Sequence, residues 1–454
     1  KYMQKGISVA ATTLGCKVNQ AETDSMLDML KAAGANIVEF DEKADIYIVN
    51  TCSVTNIADK KSRQMLHRAR KMNPDGIVIA AGCYVQSARE ILEQDEAIDI
   101  VISNNKKKSI TEIVNDYINV RNNGKNAPGK DHEAMEYFVD ISRETEYEEM
   151  GGHVPVGHTR AYVKIQDGCN QFCSYCIIPY VRGRIRSRSQ EAILAEVSEL
   201  AEAGIKEVVL TGIHISSYGK DKNNEGALIE LIEAISKIKG IKRIRLGSLE
   251  PGIITEEFVE RISSNSKVCP HFHLSLQSGC DSVLKRMNRK YTCKQYFEKC
   301  DMLRKAYKSP ALTTDVIVGF PGETEEEFAE TVRYLTELNL YEMHIFKYSP
   351  RKGTVAAAMK EQVAPEIKNE RSDVLLKLAH DNKTAYEAQF EGCELEVLVE
   401  EVVKKDNKTY LRGHTERYMD ILIDVGDISM PESFVNSFVY VTYTQNGGNL
   451  PLLL

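Results

Sequence analysis

The sequence predicts an α/β protein built from three parts: a doubly wound parallel-sheet domain, an open (β/α)6 barrel and a small all-β barrel. Apolar, β-rich runs alternate with helical patterns through most of the 454 residues, and such alternation builds parallel sheets. After a long charged helix near residues 364–390, short β-patterned runs follow one another without helices between them. The chain length also fits about three domains.

The first part, residues 1–121, contains four predicted strands with amphipathic helices between them. Residues 122–157 then break this rhythm with an Asn-, Gly- and Pro-rich stretch followed by acidic residues, and they are predicted to be a linker. Because the helices alternate with the strands, they should cover both faces of the sheet. The predicted strands are 7–14, 46–50, 77–81 and 98–102.

A second alternating series occupies residues 158–385. Six successive strand–helix units predict a partial barrel, an open relative of the eightfold barrel. Its predicted strands are 161–165, 208–211, 243–249, 272–276, 314–319 and 344–348. Residues 386–449 form the third part, with short predicted strands at 395–400, 410–412, 419–424 and 438–444.

The composition limits the class of protein. No apolar run reaches the roughly 18 residues that a membrane span needs, and no signal-peptide pattern occurs at the start, so the expected location is the cytoplasm. Thiols stay reduced there, so the eleven cysteines need an explanation other than disulfides. The net charge of −8 argues against indiscriminate coating of nucleic acid, which leaves local basic patches as the sites for RNA.

Three cysteines share one short loop directly after the first barrel strand. Cys169, Cys173 and Cys176 have the spacing C-x3-C-x2-C. Three thiolates on one loop can bind three irons of a [4Fe–4S] cluster and leave the fourth iron open to a small chelating molecule such as S-adenosylmethionine (SAM). The alternative is a structural zinc site, which needs a fourth ligand, and His158 would have to be recruited from a distance.

This spacing, with Tyr175 before the third cysteine, resembles the signature of the radical SAM superfamily. The resemblance implies that SAM binds the open iron and is cleaved to a 5′-deoxyadenosyl radical, with Tyr175 near its adenine. Further candidate SAM contacts are Gly212, Gln277 and Gly319, each near the end of a predicted barrel strand. Plain strand-to-helix turns would explain such segments equally well.

Three other cysteines are far apart in sequence but equivalent in position. Cys16, Cys52 and Cys83 each follow a predicted strand of the first domain. The carboxyl ends of parallel strands meet in one crevice, so these thiols should converge on a second cluster. Any one of them alone would more simply be a packing residue. The remaining cysteines are interpreted as packing residues: Cys269, Cys280, Cys293, Cys300 and Cys393.

A three-cysteine domain, a radical SAM barrel and a C-terminal β-barrel together resemble the radical SAM methylthiotransferase family. The family's third module is the TRAM domain, an OB-like barrel that holds substrate, and residues 413–418 match its pattern. Segments 13–20, 173–188 and 210–219 are similar to members that act on N6-threonylcarbamoyladenosine in tRNA. The resemblance implies two [4Fe–4S] clusters, ligated by the two cysteine sets above.

The resemblance also implies a reaction. One SAM methylates a sulfur held at the cluster of the first domain, and a second SAM yields the radical that removes the C2 hydrogen of the adenine at position 37. An electron donor such as flavodoxin or ferredoxin is implied, and a monomer is expected. Alternatives are the same chemistry on isopentenyladenosine or on a ribosomal-protein aspartate, and a non-catalytic RNA-binding protein with structural metal. Residues 17–20 favour threonylcarbamoyladenosine.

Basic residues predict where tRNA binds. Arg182, Arg184 and Arg186 alternate directly after the first cluster motif, where they suit a phosphate backbone. Arg412 and Arg417 add a patch in the small barrel, whose OB-like class binds oligonucleotides. The alternative is that each patch is only solvated surface.

Overall fold

The computed structural model describes residues 6–122, 135–151, 159–406, 408–426, 430–445 and 447–449. Within these ranges the three predicted parts are present: a parallel sheet, a set of six parallel barrel strands and a closed β-barrel. The predicted fold class is therefore confirmed. In the part of the chain that the structure describes, no helix has the length and apolar character needed to cross a membrane.

The N-terminal domain is a six-stranded parallel sheet with the order β2-β1-β3-β4-β5-β6. The central strands β3 and β4 are buried at every position, because helices cover both faces of the sheet. Helices α1 and α5 pack on one face and α2 packs on the other. The strands are β1 Ser8–Thr13, β2 Asn36–Ile37, β3 Ile46–Thr51, β4 Ile77–Gly82, β5 Ile100–Ile102 and β6 Met135–Tyr137, and the helices are α1 Lys17–Ala32, α2 Asn56–Met72, α3 Cys83–Ser87, α4 Arg89–Glu93 and α5 Ile110–Asn122.

The predicted linker is partly folded into the two domains that it joins. Strand β6 lies inside the interval 122–157 and pairs in parallel with β5, which extends the N-terminal sheet. Further along, Glu148 accepts a hydrogen bond from the backbone N–H of Lys108, and Glu149 pairs with Arg188 of the central barrel. Acidic residues of the predicted linker therefore have partners on both sides. Residues 123–134 and 152–158 of that interval lie outside the described residues.

The central domain contains six parallel strands in the order β7-β9-β10-β11-β12-β13. Isolated parallel bridges join the region of β10 to the region of β11, where the two sheets of this domain meet. A short strand, β8, lies antiparallel beside β7. The strands are β7 Arg160–Asp167, β8 Arg186–Ser187, β9 Glu207–Gly212, β10 Arg243–Leu246, β11 His271–His273, β12 Ala311–Val318 and β13 Glu342–Lys347. The helices are α6 Ile178–Arg182, α7 Gln190–Glu202, α8 Ala227–Ser236, α9 Glu256–Ser263, α10 Asp281–Arg286, α11 Cys293–Ala306 and α12 Glu325–Leu338.

Strand β7 alternates between an apolar outer face and a polar inner face. On β7, the buried residues Ala161, Val163 and Ile165 pack against the surrounding helices. Successive side chains of a strand point to opposite faces, so Arg160 and Tyr162 face inward. The inside of this barrel is therefore a polar chamber, which is the space that the cysteine loop overlooks.

A long helix, α13 Pro365–Ala388, leads into the C-terminal closed barrel, whose strand order is β14-β15-β16-β18-β17. Arg243 and Arg245 of the central barrel donate hydrogen bonds to backbone carbonyls of this domain, at Glu396 and Thr415 among others. The small barrel therefore covers the amino-terminal ends of the central strands. Its strands are β14 Glu394–Lys405, β15 Lys408–Thr415, β16 Asp420–Asp424, β17 Phe438–Thr444 and β18 Gly447–Asn449.

Candidate active site

The cysteine loop of the central barrel begins at the carboxyl end of β7. Gly168 has a φ of 72°, and a Cβ there would lie 1.8 Å from the carbonyl oxygen of Arg184, so only glycine fits. The backbone N–H of Cys176 donates to the carbonyl of Cys173 at 3.0 Å, which keeps the loop tight. Cys173 is close enough to the other two thiols to contribute to raising the pKa of both Cys169 and Cys176.

These three thiols fit an iron–sulfur cluster. Burial, and then the neighbouring Cys173, raises the pKa of Cys176 to about 12, and burial raises the pKa of Cys169 to about 11. Thiols with such raised pKa values stay protonated at neutral pH, whereas bound iron stabilises the thiolate form. His158, the distant residue that the zinc alternative requires, lies outside the described residues.

An arginine that sequence reasoning missed contacts this loop. Arg289 donates from Nη1 to the Sγ of Cys173 at 3.1 Å, and it also pairs with Glu250. A left-handed turn at Asn288, with φ of 61°, precedes it. No spacing rule connects Arg289 to the cysteine motif, because it follows α10, far along the chain.

The four candidate SAM contacts lie at or near the carboxyl ends of barrel strands or on the cysteine loop. Tyr175 packs edge-on against Phe320 with ring centroids 6.4 Å apart. Gln277 and Gly319 have positive φ values of 76° and 68°. The chain itself fills the space beside the glycines: a Cβ at Gly319 would lie 2.3 Å from Lys368, and one at Gly212 would lie 3.0 Å from a backbone carbonyl. Their contact with SAM therefore stays a prediction.

The second set of cysteines converges at the carboxyl ends of the strands of the N-terminal sheet. Cys16, Cys52 and Cys83 follow β1, β3 and β4, and burial, together with Cys83 and Cys16, raises the pKa of Cys52 to about 11. A Cβ at Gly15, whose φ is 100°, would lie 2.7 Å from the Sγ of Cys52, so glycine allows this close approach. Cys52 and Cys83 are buried, whereas Cys16 is exposed, which leaves one side of the three-thiol site open.

Arg182, predicted to contact RNA, is instead part of this second site. Its side chain is 0% exposed, and its Nε donates to the Sγ of Cys83 at 3.2 Å. It also donates to Asn19 at 2.5 Å and to Asp167 at 3.1 Å, and it pairs with Glu22. The prediction was wrong because these buried carboxylates draw the arginine inward. Arg182 belongs to the central domain, so it joins that domain to the N-terminal thiols.

The other predicted RNA contacts divide into buried and exposed residues. Arg186 is 1% exposed and donates to backbone carbonyls of Arg182 and Arg184, so its assignment was also wrong. Arg417 is 15% exposed and donates to the carbonyls of Lys308 and Ser309, which makes it a contact between the two barrels. Arg184 is exposed, and Arg412 is 44% exposed although paired with Asp420. Only these last two remain candidates for RNA.

Residues from all three domains meet inside the central barrel. The ammonium of Lys17, the residue after Cys16, lies 5.6 Å from the ring centre of Tyr162 and 5.9 Å from that of Tyr418. Tyr418 comes from the small barrel, and the guanidinium of Arg245 lies 4.8 Å from its ring centre. The C-terminal domain therefore supplies part of the chamber wall, a role that the sequence pattern did not indicate.

A histidine group also lies in the chamber. Ligand atoms of His273, Asp315 and His344, on three neighbouring strands, lie within 4.8 Å of one another and could hold a metal ion. His273 and His344 are stacked with ring centroids 5.8 Å apart. This group was missed because each residue stands alone in the sequence and becomes a neighbour only through parallel pairing.

Comparisons with known proteins agree with this arrangement. Residues 163–335 match the family described as Radical SAM superfamily, and residues 8–103 match the one described as Uncharacterized protein family UPF0004. The threonylcarbamoyladenosine tRNA methylthiotransferase MtaB of Bacillus subtilis is 39% identical over 91% of this chain and 90% of that protein. The tRNA-2-methylthio-N(6)-dimethylallyladenosine synthase of Thermoanaerobacter pseudethanolicus is 35% identical, with 95% and 90% covered.

Among solved structures, the radical SAM methyltransferase TsrM of Kitasatospora setae has a TM-score of 0.56 at 15% identity. The match covers 77% of each chain and shows a shared fold. Radical SAM membership implies one [4Fe–4S] cluster and SAM, which the loop of Cys169, Cys173 and Cys176 fits. With relatives of this identity over most of its length, the chain belongs to the radical SAM methylthiotransferase family, among the enzymes that modify tRNA.

Proposed function

We propose that this enzyme inserts a methylthio group at C2 of N6-threonylcarbamoyladenosine at position 37 of tRNA, using one SAM as methyl donor and another as radical source. The observation that carries the proposal is the pair of three-thiol sites, one on each of two domains. Arg182 of the radical SAM domain donates to Cys83 of the N-terminal site, so the two domains meet directly at the second set of thiols. That proximity supports a division of labour between radical formation and sulfur storage.

Each cysteine set then has its own task. Cys169, Cys173 and Cys176 hold a [4Fe–4S] cluster, with the SAM cavity completed by Tyr175, Gly212, Gln277 and Gly319. When bound, this cluster and SAM supply the radical that an unactivated aromatic C–H bond requires. Cys16, Cys52 and Cys83 hold a second [4Fe–4S] cluster. The exposure of Cys16 supports an open side where sulfur is carried.

The choice of base is supported by relatives and by charge. The Bacillus subtilis protein that is 39% identical is named for threonylcarbamoyladenosine. A second candidate is dimethylallyladenosine, which is the isopentenyladenosine named above, because a protein named for that base is 35% identical over a comparable length. The ammonium of Lys17 in the chamber favours the first base, which carries a carboxylate, over an uncharged hydrocarbon group.

The experiment uses anaerobically reconstituted enzyme with SAM, a reductant and two tRNA preparations that differ only in the modified base. We expect mass spectrometry of the digested tRNA to show the methylthio product from threonylcarbamoyladenosine and none from dimethylallyladenosine. Product from the second base alone would reassign the substrate. Absence of product from both, with iron present, would overturn the proposed activity.

The remaining parts of the proposal concern partners and location. The C-terminal closed barrel would act as the TRAM domain that holds tRNA, with Arg184 and Arg412 on phosphates, and their exposure supports this. Reductive cleavage of SAM needs one electron, so a flavodoxin or ferredoxin is the proposed donor. We propose that the enzyme acts as a monomer in the cytoplasm, where tRNA is modified.

A further inference from the structure

Lys17 is a residue of the N-terminal domain whose charged end lies inside the central barrel. It begins α1, directly after Cys16, and its ammonium lies near the rings of Tyr162 on β7 and Tyr418 of the small barrel. Tyr162 faces inward because its neighbours on β7, Ala161 and Val163, pack against the outer helices. The ammonium is therefore presented to the chamber from the side of the N-terminal thiols.

The other charged residues around this ammonium already have partners. Arg160 pairs with Glu400 at 3.4 Å, and Arg245 pairs with Glu207 at 2.8 Å. Across the chamber, Asp315 lies 3.3 Å from His273. Lys17, by contrast, forms no ion pair with any carboxylate in the ranges that the structure describes. Lys17 is also exposed, so its ammonium is accessible to an anion that enters the chamber.

The wall next to Lys17 also holds an unused hydrogen-bonding atom. The buried Nδ1 of His271 has no hydrogen-bond partner among the described residues. The ring of His271 also lies beside the ring of Tyr418, with centroids 5.3 Å apart, so it belongs to the same wall. An imidazole nitrogen can form a hydrogen bond with a ligand, and buried polar atoms are usually paired.

We propose that Lys17 forms an ion pair with the carboxylate of the threonylcarbamoyl group of the substrate base, and that His271, Tyr162 and Tyr418 complete the subsite. The proposal rests on the proposed function and names its specificity residue. Lys17 directly follows Cys16, so the subsite and one of the N-terminal thiols are carried by the same end of α1. A hydrocarbon substituent would leave the ammonium desolvated and unpaired, which disfavours that base.

The test measures binding and needs no turnover. Two anticodon stem–loops carry the same threonylcarbamoyladenosine, one with its free carboxylate and one with the carboxylate converted to a neutral methylamide. Iron-loaded wild-type enzyme and the Lys17→Gln variant are titrated with each stem–loop, and the Kd is read by fluorescence anisotropy. We expect the wild type to prefer the free acid by at least about tenfold, which is about 1.4 kcal/mol, and Lys17→Gln to bind both stem–loops equally.

Two further variants separate a specific contact from a general loss. Lys17→Arg keeps the charge and should retain most of the preference. Lys31→Gln removes an exposed lysine at the other end of α1 and should match the wild type. Iron content of every variant is measured, because Lys17 adjoins Cys16. A wild type that does not distinguish the stem–loops, or a Lys17→Gln variant with normal iron that still prefers the acid, would overturn the subsite.

These outcomes differ from a failure of the proposed function. If the enzyme methylthiolates threonylcarbamoyladenosine and yet Lys17→Gln keeps the preference, only the subsite is wrong. If the enzyme modifies dimethylallyladenosine instead, the proposed substrate fails first, and the subsite fails with it.

Discussion

The two cysteine sites reach a similar arrangement by different routes. In the central barrel, one short loop after β7 supplies all three thiols. In the N-terminal domain, three separate strand ends supply one thiol each. In both sites an arginine of the central domain donates to one sulfur, Arg289 to Cys173 at 3.1 Å and Arg182 to Cys83 at 3.2 Å. The comparison shows that the first site belongs to one domain, whereas the second depends on two.

The largest expected effect comes from removing each cysteine set in turn. The wild type should hold about eight irons per chain, and each triple change to alanine should remove about four. Without Cys16, Cys52 and Cys83, the enzyme should still cleave SAM to 5′-deoxyadenosine but make no methylthio product. Without Cys169, Cys173 and Cys176, SAM cleavage should be abolished. Iron analysis and chromatography of the nucleosides measure both results.

All three thiols of the barrel loop belong to the central domain, so replacing the N-terminal cysteines should leave the barrel cluster intact. A variant of the N-terminal cysteines that folds, keeps its barrel iron and still makes methylthio-adenosine would show that those thiols only pack. Zinc in place of iron at the barrel loop would contradict radical chemistry.

A smaller effect should separate Arg182 from its exposed neighbour Arg184. Arg182→Met leaves Glu22 and Asp167 buried with fewer counterions, and breaking such a buried pair costs about 3–5 kcal/mol in the free energy of unfolding. Arg184→Met, the matched control, should change stability by less than about 0.5 kcal/mol. Urea unfolding of iron-loaded protein measures both.

The same pair of variants also tests whether the N-terminal site is shared. Arg182→Met should lower the iron bound by the N-terminal cysteines while the barrel iron stays. If the two variants are equally stable, or if Arg182→Met loses iron from the barrel cysteines before the N-terminal cysteines, then Arg182 does not connect the two domains.

The smallest effect is expected from the exposed arginines. Replacing Arg184 and Arg412 with alanine should weaken tRNA binding a few-fold, because each arginine that binds a phosphate releases counterions. The slope of log Kd against log salt should fall by about one for each arginine–phosphate pair that the change removes. Arg186, which is buried, is no phosphate ligand. Anisotropy titrations at several salt concentrations measure the slope, and an unchanged slope in the double variant would show that both residues are ordinary surface.

The fold was predictable because the same sequence pattern, an apolar strand followed by an amphipathic helix, repeats along the chain. Each strand–helix unit carries its own apolar pattern, so the parallel sheet and the six barrel strands follow from alternation along the chain. The six candidate cluster cysteines were predictable for two separate reasons. The barrel set has a local spacing, and the N-terminal set occupies equivalent strand ends, which parallel pairing brings together.

Arg182 and Arg186 were mispredicted because the sequence does not show which way a side chain points. Arg182, Arg184 and Arg186 alternate like residues on one exposed edge, yet Glu22 of a different domain pairs with Arg182 and buries it. Local sequence patterns do not predict ion pairs between residues that are far apart in the chain. The same holds for Lys17, whose place among tyrosines of two other domains depends on how all three domains pack.

The buried charges around Arg182 have a consequence for motion. Glu22 on α1 also binds Lys107 of its own domain and Lys164 of the barrel, at 2.7 Å for the latter. Separating the N-terminal domain from the central barrel would break several of these ion pairs at once, so this contact does not act as a hinge. We therefore expect the two domains to bind tRNA without moving apart, so that the RNA, rather than the protein, rearranges by turning its base outward.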